Sequence, residues 1–190
     1  MGERRDYLQR RRPLPADAHY APPDLTLPDI LAPGLDLIFV GINPSIYSAE
    51  RGQYFARPSN MFWRCLNQSG LVPERLRPAD GPRLPSFGIG LTDIVKRATH
   101  DAAELTREEF AAGRAALRGK LLHYSPRAVC FVGKLAYLQF VQRRVAPFGR
   151  QAECIGEASV FVMPSSSGLV NNLHGERLRC LAEVRDFLGR

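Results

Sequence analysis

The chain has 190 residues, 45% of them apolar, which is enough for one domain with a full core and too apolar for a mostly disordered chain. No run approaches the roughly 20 uninterrupted apolar residues of a membrane-spanning helix. The formal net charge is +7, and 23 of the 26 basic residues are arginine, a surface that attracts phosphate backbones without by itself selecting a nucleic-acid partner.

Residues 1–28 hold Arg10-Arg11-Arg12 and then Pro13, Pro15, Pro22, Pro23 and Pro28, the composition of an extended or disordered basic arm. The charged start, Gly2-Glu3-Arg4-Arg5, lacks the apolar stretch of a secretory signal, so a cytoplasmic protein is expected. A single folded domain is expected over residues 29–190, beginning near Asp29 with a turn at Pro33-Gly34. Four buried strands are predicted: Leu35–Gly41, Phe87–Asp93, Ala128–Gly133 and Ser159–Met163. Three are near-continuous apolar runs, as for strands covered on both faces, while two glycines weaken the pattern of the second. Helices are predicted over Asn60–Ser69, from a capping box at Thr106 and Glu109 through Phe110, Leu117 and Leu121, over Leu135–Val141, and along Leu178, Leu181, Val184 and Leu188. Alternating strands and helices imply an α/β domain of three layers around a mainly parallel sheet of about four strands.

Ligands in such sheets bind at the carboxyl ends of the strands. Three ends carry polar or turn-forming groups: Gly41-Ile42-Asn43-Pro44-Ser45, Thr92-Asp93 and Pro164-Ser165-Ser166-Ser167-Gly168, while the third strand ends in Gly133-Lys134. Asn43 offers an amide that can hold a nucleophilic water, and equally an ordinary turn-stabilising side chain before proline. Cys65, Cys130, Cys154 and Cys180 are widely spaced among mostly apolar neighbours, which fits buried free thiols better than an iron–sulfur set. The four histidines lack metal-ligand spacing, and neither metal nor cofactor is expected.

The runs DILAPGLDLIFVGINPS and SAERGQYFARPSNMFW resemble the first motif region of the mismatch-specific uracil/thymine-DNA glycosylases, in the uracil-DNA glycosylase superfamily. MPSSSGLVNN resembles that family's second motif, a loop that enters the duplex, and GLTDIVKRAT and AVCFVGKLAY match at family-like spacing. The similarity covers roughly residues 29–188 and implies a glycosylase fold without cofactor. By resemblance, Asn43 positions water, Phe55 stacks on a flipped base with Ile42 and Ser45 beside it, and Gly168-Leu169 forms a wedge in the duplex. An aromatic face and an apolar plug offset the stacking that a flipped base loses. Without the motifs, Phe55 reads as a core aromatic and Leu169 as a loop leucine.

Three positions depart from the family pattern. Ser45 stands where glycine more often follows Asn-Pro, which alters the fit of that loop. Val170-Asn171 follow Leu169 where some relatives carry arginine, which puts strict preference for an opposite guanine in doubt. Asp93 introduces a carboxylate at the rim, able to accept a proton from water or to stabilise an oxocarbenium-like state; the plainer alternative is a turn cap or a pair with Lys96 or Arg97. Ser165, Ser167, Val170, Asn171, Lys96 and Lys134, together with Arg57, Arg64 and Arg97, are candidate DNA contacts.

The expected function is therefore a monomeric, monofunctional glycosylase on double-stranded DNA containing uracil or a mismatch. It would release uracil, with thymine or ethenocytosine as further candidates, and leave an abasic site. No lysine stands out as a Schiff-base nucleophile. The rival readings are a damaged-DNA-binding module with a degenerate site and a nucleotide-handling α/β enzyme, though neither phosphate-loop glycine motif is present at a strand–helix junction.

Overall fold

The computed structural model describes residues 25–168 and 171–190. Most of the basic arm and the wedge positions Leu169 and Val170 lie outside the described residues. Five strands form one sheet in the order β2-β1-β3-β5-β4: β1 Leu37–Gly41, β2 Ile89–Asp93, β3 Ala128–Val132, β4 Gly149–Ile155 and β5 Ala158–Met163. The β1–β2, β1–β3 and β3–β5 pairs are parallel, and β4 is antiparallel to β5. The predicted α/β class holds, with one more strand than expected.

The sheet's two faces are separately covered. Phe39, Leu91, Cys130 and Phe161 point to one face, where they pack under α2 (Phe62–Gln68) and α5 (His174–Leu188). Ile38, Val40, Phe131 and Val162 point to the other, under α3 (Arg107–Tyr124) and α4 (Lys134–Val141). This alternation follows from the period of two along a strand, and coverage on both sides makes β1, β2, β3 and β5 buried at every position. β4 escaped the sequence reading because its pattern is that of a partly wet edge, with Arg150 and Gln151 exposed or half-buried between buried ends.

Of the two glycines that weaken the β2 pattern, Gly90 has a packing cause, and Gly88, at φ 69°, ends the preceding 3-10 helix in the left-handed region. A Cβ on Gly90 would come within 2.6 Å of Leu35 Cδ1 and 3.0 Å of the Ile30 carbonyl. Ile30 and Leu91 exchange two backbone hydrogen bonds of 2.9 Å, so a short extended segment closes over the outer edge of β2. Glycine within a strand marks such a close approach. The packed chain also reaches further back than Asp29. Leu27 is only 2% exposed, and the Ala98 N–H donates to the Leu25 carbonyl at 2.8 Å. Residues 25–28, grouped by composition with the arm, therefore lie along the domain.

α3 begins as the capping box requires: Thr106 Oγ1 accepts from the Glu109 N–H, and the Glu109 carboxylate accepts from the Thr106 N–H. A five-residue helix, α1 (Ile46–Glu50), was not predicted; Ser45 is its N-cap. Of the four cysteines, Cys65, Cys130 and Cys180 are buried thiols, but Cys154 is exposed, because it lies on the wet edge strand. Among the described residues, no helix is long and apolar enough to cross a membrane.

Candidate active site

The parallel register sets Gly41 directly beside Asp93 at the carboxyl ends of β1 and β2. The loops leaving the two strands then run together. Ile94 and Val95 donate to the carbonyls of Gly41 and Ile42, Thr99 donates to that of Pro44, and Ile46 donates to that of Thr99. Asn43 is locked in this zipper. Its Nδ2 donates to the Arg97 carbonyl at 2.9 Å, to Thr99 Oγ1 at 2.7 Å and, more weakly, to the Pro44 carbonyl at 3.3 Å. Backbone carbonyls only accept, so the amide nitrogen must face them, and the orientation of the side chain is fixed. The amide oxygen is left over as the group that can accept from a bound molecule.

Asp93 is 3% exposed, at the back of a cleft of about 660 Å³. Its Oδ1 lies so close to Gly41 that a Cβ there would approach within 2.2 Å. Its Oδ2 is buried without a hydrogen-bond partner among the described residues. Lys96 Nζ stands 3.9 Å from Oδ2, beyond hydrogen-bonding range, and is itself held by Asp29 at 2.7 Å and by the Tyr54 hydroxyl at 3.0 Å. Burial pushes the Asp93 carboxyl up to about 7; the Lys96 ammonium pulls the other way and the nearby Asp29 adds to the rise. Of the plainer alternatives for Asp93, the ion pair with Lys96 is present at 3.9 Å, whereas the pair with Arg97 and the turn cap are not. Arg97 is engaged with Glu109 at 2.6 Å, and the N–H groups of the turn after β2 go to backbone carbonyls.

Around Asp93 lies a polar network assembled from distant segments. Asp29 Oδ1 accepts from Thr92 Oγ1 at 2.7 Å and from Lys96, while its Oδ2 accepts from Lys120 at 2.5 Å. Burial opposes ionisation of Asp29, but the hydrogen bonds from Lys120 and Lys96 outweigh it and hold the carboxyl below its ordinary value. Burial and the neighbouring carboxylates raise the Tyr54 phenol far above its ordinary value, so it stays protonated.

Phe55 has a positive φ of 53°, a conformation that costs a bulky residue of order 1 kcal/mol or more. Its neighbours enforce it. The Trp63 indole N–H donates to the Tyr54 carbonyl at 2.9 Å, and Ser48 Oγ accepts from the Ala56 N–H at 3.2 Å. The Phe55 ring stacks on Phe62 with centroids 4.1 Å apart and planes 23° apart, and it borders the cleft.

The structure brings most of the predicted site together. Asn43, Asp93, Phe55, Ile42 and Ser45 line the one cleft, and so do Ser165, Ser167 and Gly168 from the loop after β5. Ser45 also caps α1, its Oγ accepting from the Ser48 N–H at 3.3 Å. Two lysines proposed for DNA are placed otherwise. Lys96 is committed to the buried network, and Lys134 lies over the Phe148 ring at 4.0 Å; neither lines the cleft. Asn171 begins a 3-10 turn beyond the loop, whereas Leu169 and Val170 lie outside the described residues.

Several contributors carried no role in the sequence reading. Arg177 of α5 is fully buried and donates from Nε and Nη2 to the Ser165 carbonyl at 2.8 and 2.6 Å. The Met61 N–H donates to the Ser166 carbonyl at 2.8 Å, and a Cβ on Gly168 would strike Ser59 at 2.8 Å. The serine loop is thus clamped between α5 and the segment before α2. Nothing in sequence separates Arg177 from the other arginines of its helix. His100 and Asp101 also line the cleft, as does Asn60, whose Oδ1 accepts from the Phe62 N–H at 2.9 Å.

The family model of the uracil DNA glycosylase superfamily matches residues 28–189. A solution NMR structure from Methanosarcina acetivorans, named as a candidate uracil DNA glycosylase, superposes with a TM-score of 0.53 at 21% identity, covering 84% of this chain and 97% of that one. At that identity the superposition speaks for the fold. The family match takes in every strand and the loops that form the cleft, and on that ground the chain belongs to the uracil DNA glycosylase superfamily.

Proposed function

We propose that the protein is a monofunctional DNA-repair glycosylase that hydrolyses the N-glycosidic bond of uracil in mismatched duplex DNA. The observation that carries this reading is the convergence, in one cleft, of an aromatic ring, an amide whose nitrogen is fully engaged so that its oxygen remains to accept, and a buried carboxyl pushed up to about 7. Phe55, backed by Phe62, receives the face of the flipped base, with Ile42 and Ser45 beside it. Asn43 Oδ1 accepts a hydrogen bond from the attacking water. Asp93, once ionised, opposes the positive charge that builds on the sugar as the C1′–N bond lengthens, and takes a proton from the water as its oxygen bonds to C1′. The bonding pair departs with the base, which leaves as free uracil after protonation, and an abasic site remains.

Two further features support parts of this reading. A covalent lyase route needs a free amine at C1′, whereas Lys96 and Lys120 are tied to Asp29 and Lys134 packs on Phe148. The Ser165–Gly168 segment is clamped by Arg177 and Ser59, and the residues that follow it in sequence, Leu169, Val170 and Asn171, are the ones assigned to replace the flipped nucleotide in the duplex. Thymine and ethenocytosine are secondary candidates in the same cleft.

The test is release of free base from a duplex bearing one U·G pair, read by chromatography of the released base and by alkali cleavage of the strand. Free uracil with an alkali-labile strand supports the proposal. Salt-dependent duplex binding without base release would overturn it in favour of a DNA-binding module.

A further inference from the structure

A second groove, of about 940 Å³, lies beside the base cleft and shares Phe55, Arg57 and Asn60 with it. It follows α2 and the loop over residues 69–78 and is strongly basic: Arg57, Arg64, Arg75 and Arg77 line it against one acid, Glu74. Glu74 is held by Arg83 at 2.5 Å, and Arg77 leans on Asp80 at 3.7 Å. Arg57, Arg64 and Arg75 are exposed, and among the described residues no carboxylate lies within ion-pair distance of them. Three unneutralised guanidinium groups along one groove create a field that favours a polyanion.

The frame beneath them is stiff. Asn67 clips the loop to α2, its Nδ2 donating to the Leu76 carbonyl at 2.8 Å and its Oδ1 accepting from the Leu76 N–H at 2.9 Å. Ser69 adds a second clip, donating to the Leu66 carbonyl at 2.7 Å and accepting from the Leu71 N–H at 3.1 Å. Beyond Phe55, at its junction with the base cleft, the groove offers no stacking face: Trp63 is 5% exposed and its N–H is spent on the Tyr54 carbonyl. Charge without an aromatic platform along the stretch from Arg64 to Arg77 suits a sugar-phosphate backbone rather than splayed bases.

We propose that this groove is a phosphate track for the DNA strand flanking the flipped nucleotide, with Arg57 at the junction to the base cleft and Arg64 and Arg75 contacting phosphates beyond it. The proposal rests on the glycosylase reading for the register of the strand. Guanidinium groups are matched to such contacts by their planar fork of donors.

The experiment measures the dissociation constant of a U·G duplex against sodium chloride concentration by fluorescence anisotropy. It uses the wild type, the double variant Arg64→Gln/Arg75→Gln, and a control pair, Arg107→Gln/Arg118→Gln, on α3 across the sheet. Two lost phosphate contacts lower the slope of log affinity against log salt by about 1.8, at about 0.9 per contact, while the control keeps the wild-type slope. A double variant with wild-type affinity and slope overturns the track. Uracil release by the wild type is scored separately. Its absence would defeat the glycosylase reading, while a lowered slope in the double variant would still uphold a phosphate site.

Discussion

At the scale of single residues, the site depends on one intimate pair. Asp93 fits only because Gly41 has no side chain: the missing Cβ would stand 2.2 Å from Oδ1. Gly41→Ala is expected to displace the carboxylate, lowering uracil release at least about 10²-fold, the scale of one lost acid–base group, and costing about 1–3 kcal/mol of stability as an overpacked core does. Single-turnover kinetics and thermal melting check the two effects. The raised carboxyl has a further consequence. Unfolded, Asp93 ionises near its ordinary value of 3.8, but folded it holds its proton to about 7. The native state therefore binds the extra proton between those values, and the group's contribution to stability falls as pH rises through that window. Asp93→Asn, which has no such charge to bury, is expected to raise the melting temperature relative to wild type at about pH 8 by several degrees, with the gain vanishing below about pH 4. An equal gain at both pH values would contradict the buried ionisation. The strained φ of Phe55, 53°, belongs to the same economy: Trp63 and Ser48 hold the backbone so that its ring meets Phe62 and the cleft.

At the scale of elements, the cleft is made by loops that ordered structure pins in place. The serine loop depends on Arg177, which is fully buried within α5 and reaches the Ser165 carbonyl twice. Arg177→Met is expected to destabilise the protein by about 2–4 kcal/mol, from buried charge-assisted hydrogen bonds lost. It is also expected to weaken affinity for a U·G duplex, as denaturant titration and anisotropy would register. How much of this was legible in the sequence follows from range. Apolar runs announced β1, β3 and β5, and the Thr106–Glu109 pattern announced α3, because those signals are local. β4 alternates with a wet face beside a Gly-containing turn, and α1 is too short for a helical period to emerge. Asn43 and Asp93 were legible as cleft residues because each stands at a strand end, and Phe55 only through the resemblance of its motif to the family. Asp29 and Lys120 were not, since they meet Thr92 and Lys96 only through the fold, across separations of 63 to 91 residues. Lys96 shows the same limit from the other side: a lysine near the rim reads as a DNA contact, and its internal partners Asp29, Tyr54 and Asp93 come from the fold.

At the scale of the whole molecule, the sheet separates two tasks. Beneath α2 and α5 its face carries the cleft-facing residues Gly41, Asp93 and Val132, while the opposite face under α3 and α4 is packed core. With its three lysines all engaged, the protein is expected to yield no covalent adduct with abasic or uracil-containing duplex under borohydride; a trapped protein–DNA complex would contradict a monofunctional hydrolase. The most direct test of the catalytic assignment is the single-turnover rate of uracil release from a U·G duplex, followed from about pH 5 to about pH 9, a range that brackets a base poised near neutrality. The wild-type rate should rise and level off near 7, as Asp93 loses its proton. Asp93→Asn should lose that inflection and fall on the order of 10²–10⁴-fold, the worth of a positioned acid–base group. A folded Asp93→Asn protein that releases uracil at the wild-type rate with the same pH profile would contradict the carboxylate's role and return the chemistry to water held by Asn43 alone.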